Sequence, residues 1–144
     1  LRRQRQMCIR DSLQTSTQTV QNDSVQRSST VYNVQLDSDG NMIEFAQQPA
    51  NVQLPTRSTE AWWRHSQSAV RREQSVLTRY DGFGNLLEQV DATGVKTLQQ
   101  WYDASDQDGH DADPEGFARD LKQKTVVPAE NGVGAASVLV SRYR

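Results

Sequence analysis

Apolar and polar positions alternate along this chain in short runs, and turn residues separate the runs. Val31-Tyr32-Asn33-Val34-Gln35-Leu36 alternates in period two, Asp37-Ser38-Asp39-Gly40-Asn41 carries turn chemistry, and Met42-Ile43-Glu44-Phe45 resumes as an apolar-rich run. That pattern predicts a hairpin. A clearer one follows: Val76-Leu77-Thr78-Arg79-Tyr80 leads into Asp81-Gly82-Phe83-Gly84-Asn85, and Leu86-Leu87-Glu88-Gln89-Val90 returns. Gly84 and Asn85 tolerate the positive φ that tight hairpin turns require. Asp91-Ala92-Thr93-Gly94 is again turn material, and Val95 to Tyr102 reads as extended, so Val76 to Tyr102 is expected to form a three-stranded meander.

The C-terminal third predicts one helix. Asp113 caps it, Pro114 suits its first position, Glu115 complements the N-terminal dipole, Phe117 and Leu121 share a face, and Lys122 and Lys124 occupy the last turn. The Phe117 face is expected to cover the sheet. Thr125-Val126-Val127 then leaves as a strand, Val133-Gly134-Ala135-Ala136 forms a flexible loop, and Val138 to Tyr143 makes the last strand. Between Thr59 and Gln74, where Ala61, Trp62, Trp63, Ala69 and Val70 mix with Arg64, Arg71, Arg72 and Glu73, helix and strand templates score about equally. The expected fold class is mainly β: an antiparallel β-hairpin repeat sheet with one short helix.

Composition limits how large a core these elements can build. The 144 residues are 35% hydrophobic and 24% charged, with a formal net charge of −2. A thin apolar share argues against a self-sufficient core, the charge gives no footprint for nucleic acid, and no run approaches the ~18 apolar residues of a membrane helix. Arg2 to Asp11 matches the translated end of a common transposase-based sequencing adapter, so residues 1–12 are treated as a non-native scar. Without them the chain keeps 12 basic and 17 acidic residues, a net charge of −5, and loses its one cysteine, Cys8. That leaves no disulfide framework, thiol catalysis or cysteine-ligated zinc in the rest. The absence of an initiator Met and an end at Arg144, within a strand-like run, suggest a fragment.

Spacing supplies the sharpest signal. Tyr80-Asp81 recurs as Tyr102-Asp103, a period of 22, and Asp-x-x-Gly-Asn at Asp37 recurs at Asp81, 44 residues on. Fixed periods of this size mark architectures in which each unit buries its apolar face only against its neighbours. The run Tyr80-Asp81-Gly82-Phe83-Gly84-Asn85-Leu86-Leu87-Glu88-Gln89-Val90-Asp91-Ala92-Thr93-Gly94, followed by Thr97 and Tyr102-Asp103, resembles a full Rhs or Tyr-Asp (YD) repeat. More loosely, Trp62 to Arg144 resembles the repeat shell of bacterial insecticidal toxin complexes, B and C subunits. Asp106 departs from the pattern, standing where a second Gly turn would fall, and the loop holding His110 and Asp111 has no counterpart in it.

The resemblance implies a structural job. Such shells are long antiparallel ribbons that spiral into a hollow cocoon around a toxic C-terminal domain. It marks Tyr80, Asp81, Gly84, Asn85, Asp91, Gly94, Tyr102 and Asp103 as repeat-motif residues. The implied partners are the rest of the shell, other toxin-complex subunits and the enclosed toxin domain, with no nucleic acid and no membrane span in this segment. The implied setting is secreted or extracellular, and bacterial. The chain then divides into the scar (1–12), a β-hairpin region with a degenerate repeat (13–58), the YD-repeat meander (59–103), and an acidic loop, short helix and returning strands (104–144).

Chemistry-bearing residues form no catalytic constellation, and no cofactor is implied. Ser66 lies beside His65, but sequence neighbours do not make a triad, and neither a Gly-x-Ser-x-Gly elbow nor a phosphate loop is present. A calcium loop through Gly109 would put Asp106, Asp108 and Glu115 at ligand positions but Ala104 at the first, so the segment reads as a solvated acidic insertion. His110 has no second His or Cys at ligand spacing. The competing function is a cell-surface carbohydrate-binding or adhesin module with Trp62 and Trp63 exposed and coplanar. Period-two geometry instead turns one Trp inward and leaves its neighbour over an edge.

Overall fold

The computed structural model describes residues 2–9, 12–105, 109–130 and 136–143, with side chains from residue 13 onward. The architecture is mainly β and antiparallel, and the chain forms two compact units, Leu1–Val76 and Leu77–Arg144.

In the first unit β1 (Arg2–Ile9), β2 (Ser12–Gln21), β3 (Ser24–Tyr32), β4 (Pro55–Arg64) and the start of β5 (Gln67–Tyr80) follow in chain order. β2 turns into β3 through Asn22, whose φ of 53° is the left-handed conformation that Asn tolerates. Register then fixes which side chains share a face: Val25 lies opposite Val20 and Trp63, and Arg27 opposite Gln18 and Ala61. The ambiguous stretch from Thr59 to Gln74 is therefore strand, broken at His65 and Ser66. The turn there is tied to the neighbouring one, because Asp23 accepts from the Ser66 amide at 2.8 Å and the Ser66 hydroxyl at 2.6 Å.

The hairpin expected over Val31 to Phe45 is only partly built. Val31 and Tyr32 belong to β3, and Leu36 and Met42 meet in a single bridge. Phe45–Gln47 then winds into one 3₁₀ turn. The Gln48 side chain takes up the hydrogen bonds a strand would have made. It accepts from the Gln35 amide at 2.8 Å and donates to the carbonyls of Gln35 at 2.9 Å and Ile43 at 3.3 Å.

The second unit contains the end of β5, β6 (Leu86–Val90), β7 (Lys96–Trp101), β8 (Leu121–Val127) and β9 (Leu139–Arg142). The meander from Val76 to Tyr102 is present, with Leu77 opposite Val90 and Glu88 opposite Leu98. The helix expected over Asp113 to Lys124 is not. Lys122 and Lys124 lie in β8, paired with β7, and Phe117 is exposed rather than laid on the sheet. Gly116, at φ +76°, takes a left-handed conformation that ends any helical path one turn after Asp113. The loop expected at Val133 to Ala136 lies outside the described residues up to Ala135, and the last strand is β9.

Burial follows the thin composition. Among the described residues the buried hydrophobic side chains are Val25, Val34, Val52, Ala61, Tyr102 and Ala118. Leu139 and Val140 of β9, and Tyr143 just after it, stay exposed. No helix of the described residues is long and apolar enough to cross a membrane.

Candidate functional site: the aspartate-glycine turns

Backbone amides and carbonyls must find partners wherever a strand reverses, and one carboxylate does much of that work here. Asp81 accepts from the amides of Phe83 at 2.9 Å and Asn85 at 2.8 Å through Oδ1, while its own carbonyl accepts from Gly84. The ring closes with the Asp81 amide donating to the Asn85 carbonyl at 3.0 Å. Gly84 sits at φ +88°, a conformation costly for any residue with a Cβ.

Asp91 repeats this arrangement atom for atom. Its Oδ1 accepts from the Thr93 amide at 2.8 Å and the Val95 amide at 3.1 Å, its carbonyl accepts from Gly94, and Gly94 again has φ +88°. Asp37 does the same with the Asp39 and Asn41 amides and with Gly40 at φ +81°. A fourth copy, Asp113-Pro114-Glu115-Gly116-Phe117, stands where the helix was expected. Its Oδ1 accepts from Glu115 and Phe117, and its carbonyl from Gly116. The signal was the same Asp-x-x-Gly spacing, masked because Pro114 and Glu115 equally satisfy the rules for a helix start.

Hydrogen bonding also sets the charge on these carboxylates. The Thr93 hydroxyl, followed by backbone amides, holds the Asp91 carboxyl below the usual carboxylate range. At Asp113 burial pushes upward, but the amides of Phe117 and Glu115 and the Arg119 guanidinium, 2.6 Å away, outweigh it and the net shift is down.

The two Tyr-Asp positions lie at the same end of strands that run the same way, Tyr80 closing β5 and Tyr102 following β7, with β6 between them. Each follows an irregularity in register, between Arg79 and Tyr80 and between Gln100 and Trp101. Tyr102 is buried at 5% exposure. Its ring stacks on His110 with centroids 4.3 Å apart, Lys122 Nζ lies 5.3 Å from its centroid, and its hydroxyl donates to the Tyr143 carbonyl at 3.1 Å. Trp101 Nε1 donates to the Leu86 carbonyl at 2.8 Å, beyond the end of the β6–β7 register.

At that same end, Asn85 Nδ2 donates to Asp81 Oδ2 and to the Ala118 carbonyl, joining the Asp81 turn to the segment before β8. Asp103 departs from the series. The Ser105 amide and hydroxyl donate to its Oδ1, and with Lys122 they lower its pKa, but Asp106 rather than glycine follows and lies outside the described residues.

Among the described residues the other candidates form no catalytic or metal-binding cluster. Asp106 and Asp108 of the calcium-loop pattern lie outside the described residues, and Glu115 binds Arg119 at 2.7 Å. Among the described residues no group of three or more His, Cys, Asp or Glu is arranged to hold a metal. Trp62 and Trp63 fall on opposite faces of β4, so they make no coplanar platform. Trp63 is covered by Arg27 and Arg71, with guanidinium carbons 5.5 Å and 5.3 Å from its ring. Comparison with family models, with curated proteins and with solved structures returned no match.

Proposed function

We propose that this chain is a structural segment of an Rhs/YD-repeat toxin-complex protein, part of a β-shell that encapsulates a C-terminal toxin and helps deliver it. The observation that carries the proposal is the recurrence of one turn, Asp-x-x-Gly with a left-handed glycine, at Asp37, Asp81, Asp91 and Asp113. A device that reverses the chain cheaply, recurring at intervals of 44, 10 and 22 residues, serves a ribbon that must fold back many times. Strands with so few buried side chains suit a wall whose stability is shared with adjoining units. In that role the partners are the rest of the shell, other toxin-complex subunits and the enclosed toxin, and the setting is secreted and bacterial.

The test is the gene itself, followed by its product. Further Tyr-Asp units at the same spacing, and a C-terminal domain that resists protease until the shell is opened, are the expected results. A gene without such units, or a product whose C-terminal domain is digested as fast as a free one, overturns the proposal.

A further inference from the structure

The first unit holds a concave basin of about 520 Å³, within the range that small ligands occupy, whose lining includes both Trp62 and Trp63. Two cross-strand rungs build it. Thr19, Gln26 and Trp62 lie directly opposite one another on β2, β3 and β4, and Gln21, Ser24 and Arg64 form the next rung. Arg72 of β5 lines the far wall. Trp62 is 37% exposed, so much of its side chain is open to solvent, unlike that of Trp63.

We propose that this basin binds an acidic sugar residue, carboxylated or sulfated, of a polysaccharide or glycan. The polarised C–H bonds of a pyranose face complement the negative face of an indole. Two guanidiniums in one basin present paired donors that fit a carboxylate or sulfate. Among the described residues neither Arg64 nor Arg72 makes a direct ion pair; Asp23, bound by Ser66, meets the Arg64 charge only at longer range. Hydroxyls and amides of Thr19, Ser24, Gln21 and Gln26 supply both donors and acceptors for sugar hydroxyls.

The charge pattern favours one acidic residue over a polyanion. Glu60 stands one rung beyond Trp62 on the same face, held by Gln74 Nε2 at 3.3 Å, and interrupts any continuous basic track. Nucleic-acid grooves need such a track together with several stacking rings. The site is independent of the shell proposal, since it uses neither the turns nor the Tyr-Asp positions.

The test is calorimetric titration of the full chain with four probes: a short oligogalacturonate, the same oligosaccharide with its carboxyls reduced to alcohols, a sulfated disaccharide, and a short oligothymidylate. The sulfated disaccharide separates the two acidic sources. Saturable binding of at least one acidic saccharide is expected, weakened at least about tenfold by Arg72→Gln and by Trp62→Ala, with the reduced oligosaccharide bound at least about tenfold more weakly. Circular dichroism checks the variants; if Trp62→Ala unfolds, the exposed Arg72→Gln decides alone. Absence of saturable acidic-sugar binding, equal binding of the reduced form, tighter binding of oligothymidylate, or affinities unchanged in the folded variants each overturns the proposal.

Discussion

The Asp37 and Asp91 turns share their hydrogen bonds and their left-handed glycine, yet one reverses a pair of strands and the other a pair of single residues. After Asp91 the chain enters β7, where Lys96, Thr97 and Leu98 pair with β6 on one side and with β8 on the other. After Asn41 the ladder stops at Met42, because the Gln48 amide satisfies Gln35 and Ile43 in place of a strand. A carboxylate and a glycine are thus enough to make the turn. Whether a sheet grows from it depends on what meets the backbone groups of the arms.

The largest effect that distinguishes the two regions is expected at Tyr102. Tyr102→Ala empties a buried site that closes the meander and is expected to destabilise the second unit by about 3 kcal/mol, read by denaturant unfolding. Tyr80→Ala, at a half-buried ring, is expected to cost about half as much. Equal losses would mean that the two Tyr-Asp positions carry the same packing role.

Next come the glycines. Gly94→Ala must adopt φ +88° and brings its Cβ to 3.3 Å from Ala129 Cβ, with an expected cost of roughly 1–2 kcal/mol. Gly40→Ala meets the same backbone strain at φ +81° but open space, and its turn supports only one bridge. It is expected to cost about 1 kcal/mol at most, measured in the same melts. A larger loss at Gly40 would show that the first unit depends on its turn as the meander does.

Acid sharpens the contrast further. Asp91 has a folded pKa below 3.8, its value in an unfolded chain, so its stabilising contribution is fully present above that value and disappears as pH falls through the folded pKa. Asp91→Asn cannot titrate, and is expected to flatten the loss of stability below about pH 4. Parallel acid-melting curves for the variant and the parent would contradict that role. The smallest effect is local: Gln48→Ala is expected to speed amide exchange at Gln35 and leave Val95 unchanged.

What could be read from the residues was local turn chemistry together with the strands that show it. Asp81-x-x-Gly84-Asn85 and Asp91-x-x-Gly94 are unambiguous because glycine at the fourth position allows few other backbones, and β6 follows with the expected bounds. Strands β2 and β3 were much harder to see. Leu13 to Gln21 and Ser24 to Val31 are rich in Ser, Thr and Gln on both faces, which erases the alternation that marks a half-buried strand. At Asp113 two valid local codes competed, a helix cap and an Asx turn, and Gly116 with Arg119 decided for the turn. Trp62 stood out as a candidate sugar surface, but the basin around it was invisible for another reason. Its rungs join residues far apart in sequence, and only register brings Thr19, Gln26 and Trp62 together.

The central claim is that hairpins with so little buried side-chain volume draw their stability from neighbouring copies. Sedimentation of the chain starting at residue 13, combined with calorimetric unfolding, tests it most directly. Association through its strand edges, or a broad melt whose van't Hoff enthalpy falls well below the calorimetric value, is the predicted result. A compact monomer that unfolds in one sharp two-state transition would contradict it.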